Sequence, residues 1–331
     1  MKISHKLNSK ETEYGYNEVP IPRHIRFWLL LCLDIPAVIT TIFLLYYLLF
    51  KRTHRQALHN HVMIVVLFIA LISEFLDVMP YIIYTHTGYV WWPTPFFCNL
   101  WSFVAIGLFD MVAMLLAWAA FERHILVFHS GLTNTTRKRF IFHYLPLILT
   151  TVYGVIFYFI IFFFPPCKTN YDYEEPWCGH QCFYSVRNLL LYDNIFHCIF
   201  PIFAIIILNI LLVARYIRQK KRVNQAFEWR KYRKMIIQLL SVCILLLTFD
   251  LPIILVHFGQ KCGLSGATVD LVQLYLYFFA YFIALLLPYV LLISTLDIWK
   301  RYLISTFKWM VHPFQTSNSV GPSQTRSQLI H

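Results

Sequence analysis

The chain has 331 residues, of which 59% are hydrophobic and 13% are charged, and its formal net charge at pH 7 is +12. A soluble globular protein carries about 25% charged residues, so this composition excludes an ordinary soluble domain and indicates a protein that lies in a lipid bilayer. The basic residues indicate contact with anionic lipid headgroups. Nucleic acid is not expected as a partner, because the sequence has no zinc-ligand spacing and no RNA-binding signature.

Seven apolar runs follow one another along the chain, and each is long enough to cross a hydrocarbon core of about 30 Å as a helix. None of the runs contains Lys or Arg, and the connections between them are too short to fold alone. We therefore predict an all-α membrane protein, a seven-transmembrane helix bundle without a separate soluble domain. The predicted spans are 27–50, 62–84, 97–121, 140–164, 189–213, 235–258 and 272–296.

The distribution of basic residues predicts the orientation of the bundle, because cytoplasmic loops beside membrane spans hold an excess of Lys and Arg. If the N-terminus lies outside, the inner segments hold 20 of the 28 basic residues. We therefore expect a multi-pass protein of the plasma membrane, with an extracellular N-terminal tail at 1–26 and a cytoplasmic C-terminus.

The segment after the last span divides into two parts. Residues 297–311 place apolar side chains on one helical face with basic side chains beside them, which predicts a short C-terminal interfacial helix in contact with membrane lipids. Residues 312–331 are rich in Ser, Thr, Gln and Asn and have little to bury, so we expect a disordered cytoplasmic tail.

Five of the eight cysteines lie in or beside the predicted outer segments, where an oxidising environment allows disulfides. Because five is an odd number, at most two disulfides can form among them, and the sequence alone leaves the pairing open. The five are Cys98, Cys167, Cys178, Cys182 and Cys262.

The third apolar run carries the most specific motif of the chain. Cys98 lies at its outer end, and Arg123 closes its inner end between Glu122 and His124. This arrangement resembles the third helix of the rhodopsin-like, or class A, G-protein-coupled receptors, which begins at a disulfide-bonded Cys and ends in a D/E-R-Y/H motif. Further landmarks of that family follow in the same order, namely Trp91, Pro201, Pro252 and Pro288.

The resemblance implies a function. It implies a cell-surface receptor rather than an enzyme, with 27–296 as the receptor domain and without a cofactor or metal. Such a receptor binds an extracellular ligand and activates an intracellular heterotrimeric G protein, and arrestin and a receptor kinase are further partners. In the family, the acid beside the arginine holds it in the resting state. The residues that would serve coupling and activation are Glu122, Arg123, His124, Pro252 and Pro288.

The resemblance also implies one disulfide. In the family, the third helix is bonded to the long outer loop, which here is 165–188 and contains Cys178 and Cys182. Cys182 lies nearer the fifth helix, as the family's partner does. It is therefore the preferred partner of Cys98, and Cys178 is the alternative.

Three departures mark the chain as a divergent member of that family. The acid expected in the second helix would fall near Ala70 or Leu71 and is missing. The sixth-helix CWxP motif reads FDLP at 249–252, with Asp250 in the place of Trp, and the seventh-helix NPxxY motif keeps only Pro288. The activation relay of the family is therefore not assumed.

Four acidic residues within the predicted spans are candidates for a ligand pocket. A carboxylate at membrane depth costs about 2.5–3.5 kcal/mol, and no span offers a Lys or Arg as its partner. One interpretation is that the four are protonated or hydrogen-bonded to Tyr, His or backbone groups. The other is that they attract a cationic ligand, a peptide rather than a monoamine, because Ala105 stands where amine receptors carry Asp. The four are Glu74 and Asp77, which share a helical face, Asp110 and Asp250.

The sequence bears on three functions other than that of a receptor. A retinal photoreceptor needs a Schiff-base Lys in the seventh span, and 272–296 contains none. An intramembrane zinc hydrolase needs converging ligands, whereas His143, His197 and His257 are scattered over three helices. A seven-helix transporter or channel that uses the buried acids is the alternative to a receptor, although no broken-helix repeat supports it.

Overall fold

The computed structural model of the chain describes residues 19–179, 181–222, 226–261, 263 and 266–311. Within these residues, seven helices are long and apolar enough to cross a membrane, which confirms the predicted all-α seven-helix bundle. We label them α1 to α7, and they are Arg23–Phe50, Leu58–Thr87, Pro95–Phe128, Thr136–Phe163, Arg187–Arg215, Ile236–Gln260 and Ala267–Ile293.

Three of the helices extend beyond their apolar spans. The helix of α5 continues to Arg222, α6 is part of a helix Ala226–Lys261, and the helix of α7 continues to Val311. Residues 297–311 are therefore helical and continuous with α7, and their predicted position in the lipid interface stays a prediction. The tail predicted at 312–331 lies outside the described residues.

The first helix begins at Arg23, at the end of the predicted N-terminal tail, which the structure describes only from residue 19. Pro36, Pro252 and Pro288 lie inside α1, α6 and α7. A proline in a helix interior removes one backbone hydrogen bond, which membrane helices tolerate because neighbouring groups satisfy the freed carbonyl. The roles of Pro252 and Pro288 in activation stay predictions.

Helix α3 is the central helix of the bundle. Of its most apolar stretch 61% is buried, which is the largest share among the seven spans. The small side chains of Ala113, Ala119 and Ala120 are almost fully buried and let neighbouring helices approach closely. Large apolar side chains such as Ile39 and Phe200 point outwards instead, where they would meet lipid. Polar groups on α3 are therefore enclosed by protein.

Four of the helices contain a π-helical turn, in which backbone hydrogen bonds connect residues five apart. Such a turn inserts one extra residue into an α-helix and changes the direction of the side chains around it. Three of the four turns contain or adjoin titratable residues that make the contacts described below. The turns, in α2 to α5, are Glu74–Val78, Phe103–Leu108, Phe140–Tyr144 and Asn194–Ile199.

The segment between α4 and α5 is fixed by two disulfides, Cys98–Cys178 and Cys167–Cys182. The preference for Cys182 as the partner of Cys98 is therefore wrong, and the alternative, Cys178, is the partner. The reason is local: Cys182 lies 15 residues from Cys167 and folds back to the end of α4, whereas the buried Cys178 meets α3. Cys262 lies outside the described residues.

Candidate functional site

Polar side chains gather at two levels of the bundle. We call the end that holds the disulfides the disulfide end, and the opposite end, where α3 finishes at Phe128, the arginine end. Arg123 and its neighbours lie at the arginine end, in the last two turns of α3. The acidic clusters around Asp77 and Asp193 lie towards the disulfide end of α2 and α5.

Arg123 is completely buried at the arginine end. Its Nη2 donates a hydrogen bond of 3.0 Å to the carbonyl oxygen of His59 in α2. Its Nε and Nη1 are also buried and make no hydrogen bond within the described part of the chain. A buried guanidinium with one backbone partner is under-satisfied, so this group gains if a further acceptor becomes available.

Glu122 precedes Arg123 but is bonded elsewhere. Its Oε1 is hydrogen-bonded to Nδ1 of His143 in α4, and both side chains are almost fully buried. Its Oε2 is buried without a hydrogen bond among the described residues. The pairing of Glu122 with Arg123 that the resemblance implies is therefore not formed in this structure.

His143 belongs to a longer hydrogen-bonded chain. Its Nε2 lies 2.8 Å from Nδ1 of His61 in α2, and Nε2 of His61 lies 2.8 Å from the carbonyl oxygen of Arg55. The chain from Glu122 to Arg55 thus joins α3, α4, α2 and the connection that precedes α2. His143 was considered in the sequence only as a zinc ligand, and its pairing with Glu122 and His61 was not predicted. Within the described residues, no group of three His, Cys, Asp or Glu could hold a metal ion.

His124, the third residue of the motif, faces α5. Its Nε2 lies 2.8 Å from the carbonyl oxygen of Leu208, so Nε2 carries the hydrogen and donates it. The three consecutive residues Glu122, Arg123 and His124 therefore contact three different helices, α4, α2 and α5.

Asp77 collects hydrogen bonds from three other parts of the chain. Its Oδ1 accepts from Nε1 of Trp101 in α3 at 2.9 Å and from the hydroxyl of Tyr281 in α7 at 3.2 Å. The third donor is Nε1 of Trp177, which belongs to the loop between α4 and α5, at 3.4 Å. Asp77 thus connects α2 with α3, α7 and the loop at the disulfide end.

Asp110 of α3 and Asp193 of α5 share one hydroxyl group. The hydroxyl of Tyr158 in α4 lies 2.8 Å from Oδ2 of Asp110 and 2.8 Å from Oδ1 of Asp193. A tyrosine hydroxyl has one hydrogen to donate, so the second contact is a hydrogen bond only if one of the two carboxyl groups is protonated. Gly107 provides the space, because a methyl group there would lie 2.7 Å from Cβ of Tyr158.

The same network continues towards the surface of the bundle. Nδ1 of His197 lies 2.9 Å from Oδ1 of Asp193, and its Nε2 lies 2.7 Å from the hydroxyl of Tyr153. The hydroxyl of Tyr153 lies 2.9 Å from that of Tyr192, and both of these rings are exposed. A continuous set of hydrogen bonds therefore connects α3, α4 and α5.

Glu74 lies in a separate polar cluster between α1 and α2. Its Oε1 accepts a hydrogen bond of 2.9 Å from Oγ1 of Thr41, and both residues are fully buried. Oε2 of Glu74 and Oδ1 of the nearby Asp34 are buried without a hydrogen bond among the described residues. Glu74 and Asp77 therefore do not face one pocket, although the sequence placed them on one helical face. The π-helical turn Glu74–Val78 is the reason, because it changes the angle between the two side chains.

Asp250 differs from the other predicted acids. It is 6% exposed and lies within electrostatic range of Asp110. Among the described residues, no hydrogen bond or ion pair to its carboxyl group is present. Of the four predicted acids, the structure thus brings only Asp110 and Asp250 near each other.

Two acids with polar neighbours were not among the predicted site residues. Asp34 and Asp193 lie inside the predicted spans 27–50 and 189–213. An acid inside an apolar span was the available signal, because such residues usually face the interior and find a partner. The identity of the partner, such as Tyr158 for Asp193, was not readable from the sequence.

Comparison with known proteins places the fold. No protein-family model matches the sequence, and no curated protein matches it. The crystal structure of squid rhodopsin is similar, with a TM-score of 0.67 and 16% sequence identity over 90% of this chain and 89% of that chain. At this identity, the likeness confirms the expected rhodopsin-like fold, whereas function depends on the residues of the site.

Proposed function

We propose that this protein is a divergent rhodopsin-like receptor of the plasma membrane, which binds an extracellular ligand and activates a heterotrimeric G protein. The disulfide end lies outside the cell, because disulfides form in oxidising compartments. The arginine end then lies in the cytoplasm, as the excess of basic residues in the segments on that side also indicates. Arrestin and a receptor kinase are further partners in this proposal.

The observation that carries the proposal is the state of Arg123. Two of its three guanidinium nitrogens are buried without a hydrogen bond among the described residues. Charge-assisted hydrogen bonds from an arginine are strong, so a carbonyl or carboxylate from a partner protein would bind there once the arginine end opens. In the structure, Arg123 is hydrogen-bonded to His59 in α2, and Glu122 is hydrogen-bonded to His143 in α4. We call this the closed arrangement, and these two contacts stabilise it.

A ligand at the disulfide end acts only through its different affinities for the closed and open arrangements. A nearly complete shift from 1:99 to 99:1 needs about a 10⁴-fold preference, or about 5.5 kcal/mol. Asp250 is the acid that would pair with a cationic group of the ligand, because Asp77 and Asp110 already make hydrogen bonds with neutral side chains.

The test measures guanine-nucleotide exchange on purified heterotrimers by the protein in nanodiscs, with a library of cationic peptides added. We expect Arg123→Ala to abolish exchange while the amount of folded protein stays the same. Arg137→Ala, at an exposed position of the same end, is the matched control and should exchange as the native protein does. Undiminished exchange by Arg123→Ala would overturn the role of this residue.

The alternative function, a transporter or channel, has one observation in its favour. The hydrogen bonds from Tyr192 through His197 to Asp110 form a continuous polar path into the bundle. Proton flux into vesicles that contain the purified protein tests this alternative. Flux without any nucleotide exchange would favour a transporter or channel over a receptor.

A further inference from the structure

Trp177 belongs to the loop between α4 and α5, yet its ring lies among side chains of the bundle. The ring is nearly parallel to that of Tyr81 in α2, at 5.8 Å and 14°, and to that of Tyr281 in α7, at 6.3 Å and 8°. Tyr81 and Tyr281 are themselves stacked at 4.5 Å. The edge of the indole donates its N–H to Asp77. The loop therefore fills a space formed by three residues of α2 and α7.

The backbone that carries Trp177 is in an unusual conformation. Trp177 and Cys178 have φ angles of 55° and 59°, and within the described part of the chain they are the only non-glycine residues with positive φ. Residues with a Cβ avoid this region, so the conformation is held by tertiary contacts rather than by local preference. Here these contacts include the disulfide from Cys178 to α3 and the hydrogen bond from the indole N–H to Asp77. Such departures occur preferentially at ligand sites and switch regions.

The chemistry of this site defines the group that fits it. The stacked tyrosine rings accept the face of a flat aromatic group. The Asp77 oxygen accepts an N–H or O–H from the edge of that group, and it is fixed in place because Trp101 and Tyr281 donate to the same oxygen. An aliphatic group would leave the faces of the rings poorly matched, and an anionic group would meet the carboxyl group of Asp77.

We propose that Trp177 is a built-in occupant of a ligand subsite formed by Asp77, Tyr81 and Tyr281. The external ligand would present its own aromatic group with an N–H or O–H donor, such as a Trp or Tyr side chain of a peptide, and displace Trp177. This inference rests on the proposed receptor function and adds the chemical class of the ligand. Displacement releases the loop from α2 and α7, so a ligand that makes this exchange biases the arrangement of those two helices.

The test removes the Trp177 side chain by substitution and adds indole, the ring of that side chain, as a free molecule. Trp177→Ala, purified in nanodiscs, should unfold at a lower temperature than the native protein, and added indole should raise the unfolding temperature again. We expect 1-methylindole, which has no N–H, to bind about tenfold more weakly than indole, as expected for the loss of one hydrogen bond to the carboxyl group of Asp77. Trp92→Ala is the matched control, because Trp92 is an exposed tryptophan of the same end and its removal should create no indole site.

A second variant covers the case in which Trp177→Ala does not fold. Trp177→Phe leaves a smaller ring on the tyrosines without a donor to Asp77, so indole should displace it, and saturable indole binding is expected for this variant and not for the native protein. Asp77→Asn in the same background should weaken that binding, because the neutral amide is a poorer acceptor.

The inference is overturned if indole binds neither variant, or if 1-methylindole binds as tightly as indole. These measurements contain no G protein. Absence of indole binding therefore does not contradict the proposed receptor function. Absence of nucleotide exchange by the native protein contradicts that function and does not change the interpretation of the indole measurements.

Discussion

Glu122 is hydrogen-bonded to His143 of α4, and the Arg123 that follows it is bonded to α2. Adjacent side chains on a helix point about 100° apart, so an acid directly before an arginine reaches a different part of the bundle. The two charged residues of the motif are therefore held by two different helices. A movement of α4 against α2 changes their environments separately, which a direct pair between them would not allow.

The first prediction removes the partner of Glu122. We expect His143→Ala to lower the free energy of unfolding by about 3–5 kcal/mol, because it leaves a buried acid without its partner. Denaturant unfolding of the purified protein measures the effect. Glu122→Gln added to His143→Ala removes the charge and should restore much of the loss. A His143→Ala protein as stable as the native one would contradict the contact.

The seven helices were predictable from the sequence because a helix satisfies its own backbone hydrogen bonds in lipid, and because about 20 consecutive apolar residues are needed to cross the bilayer. The hydrogen-bond partners of the polar side chains were not predictable, because they depend on the rotation of each helix about its own axis. Glu74 and Asp77 illustrate the difference. Their spacing of three predicts a shared face in a regular α-helix, but the π-helical turn directs Glu74 to α1 and Asp77 to α3 and α7.

The disulfide end gives a second example. The family resemblance predicted a bond from Cys98 to the outer loop, and that bond is present. The choice between Cys178 and Cys182 depended on the path of the loop, which includes a left-handed backbone at Trp177 and Cys178. Two successive residues with positive φ have no signal in the sequence unless one of them is Gly, Asn or Asp.

The second prediction concerns the hydroxyl shared by Asp110 and Asp193. Tyr158→Phe removes the hydroxyl that bridges these two acids and leaves both carboxyl groups without that partner. We expect a loss of about 1–3 kcal/mol in the free energy of unfolding, the cost of leaving buried polar groups unsatisfied. Asp110→Asn is the matched comparison. Its amide can donate to the Tyr158 oxygen, so it should cost less than Tyr158→Phe, and the reverse order would contradict the bridging role of this hydroxyl.

The third prediction compares the two disulfides. Cys98–Cys178 spans 80 residues and Cys167–Cys182 spans 15. In the chain-entropy model, the longer loop stabilises the folded state more, by about 1.5 kcal/mol for these lengths. Cys98→Ser with Cys178→Ser should therefore lower the unfolding midpoint more than the corresponding change of the other pair. Peptide mapping of the native protein that recovers Cys98 joined to Cys182 would contradict the assignment.

The fourth prediction is a pH dependence at the arginine end. Nε2 of His54, between α1 and α2, lies 3.1 Å from the hydroxyl of Tyr47, and burial together with the nearby Lys51 lowers the pKa of His54 below its ordinary value. The unfolded chain then binds more protons than the folded chain below about pH 6.5, so the stability that neutral His54 provides is present above that pH and is lost as the pH falls. Thermal unfolding from pH 8 to pH 5 measures it. His54→Asn should have a flatter profile, and identical profiles would refute the assignment.

The last prediction concerns the charge of the ligand. Asp250 stands where rhodopsin-like receptors carry a Trp in the sixth helix, and it is the predicted acid without a hydrogen-bond donor among the described residues. A buried carboxyl group without an internal donor gains most from an external cation. Asp250→Asn should therefore weaken activation by a cationic peptide at least tenfold, or about 1.4 kcal/mol. Asp270→Asn, an exposed acid at the disulfide end, is the matched control and should leave activation unchanged. A cationic ligand at Asp250 is refuted if the agonist of the native protein is neutral or anionic and Asp250→Asn responds to it normally. The proposed subsite at Asp77 is tested separately, by the indole-binding measurements.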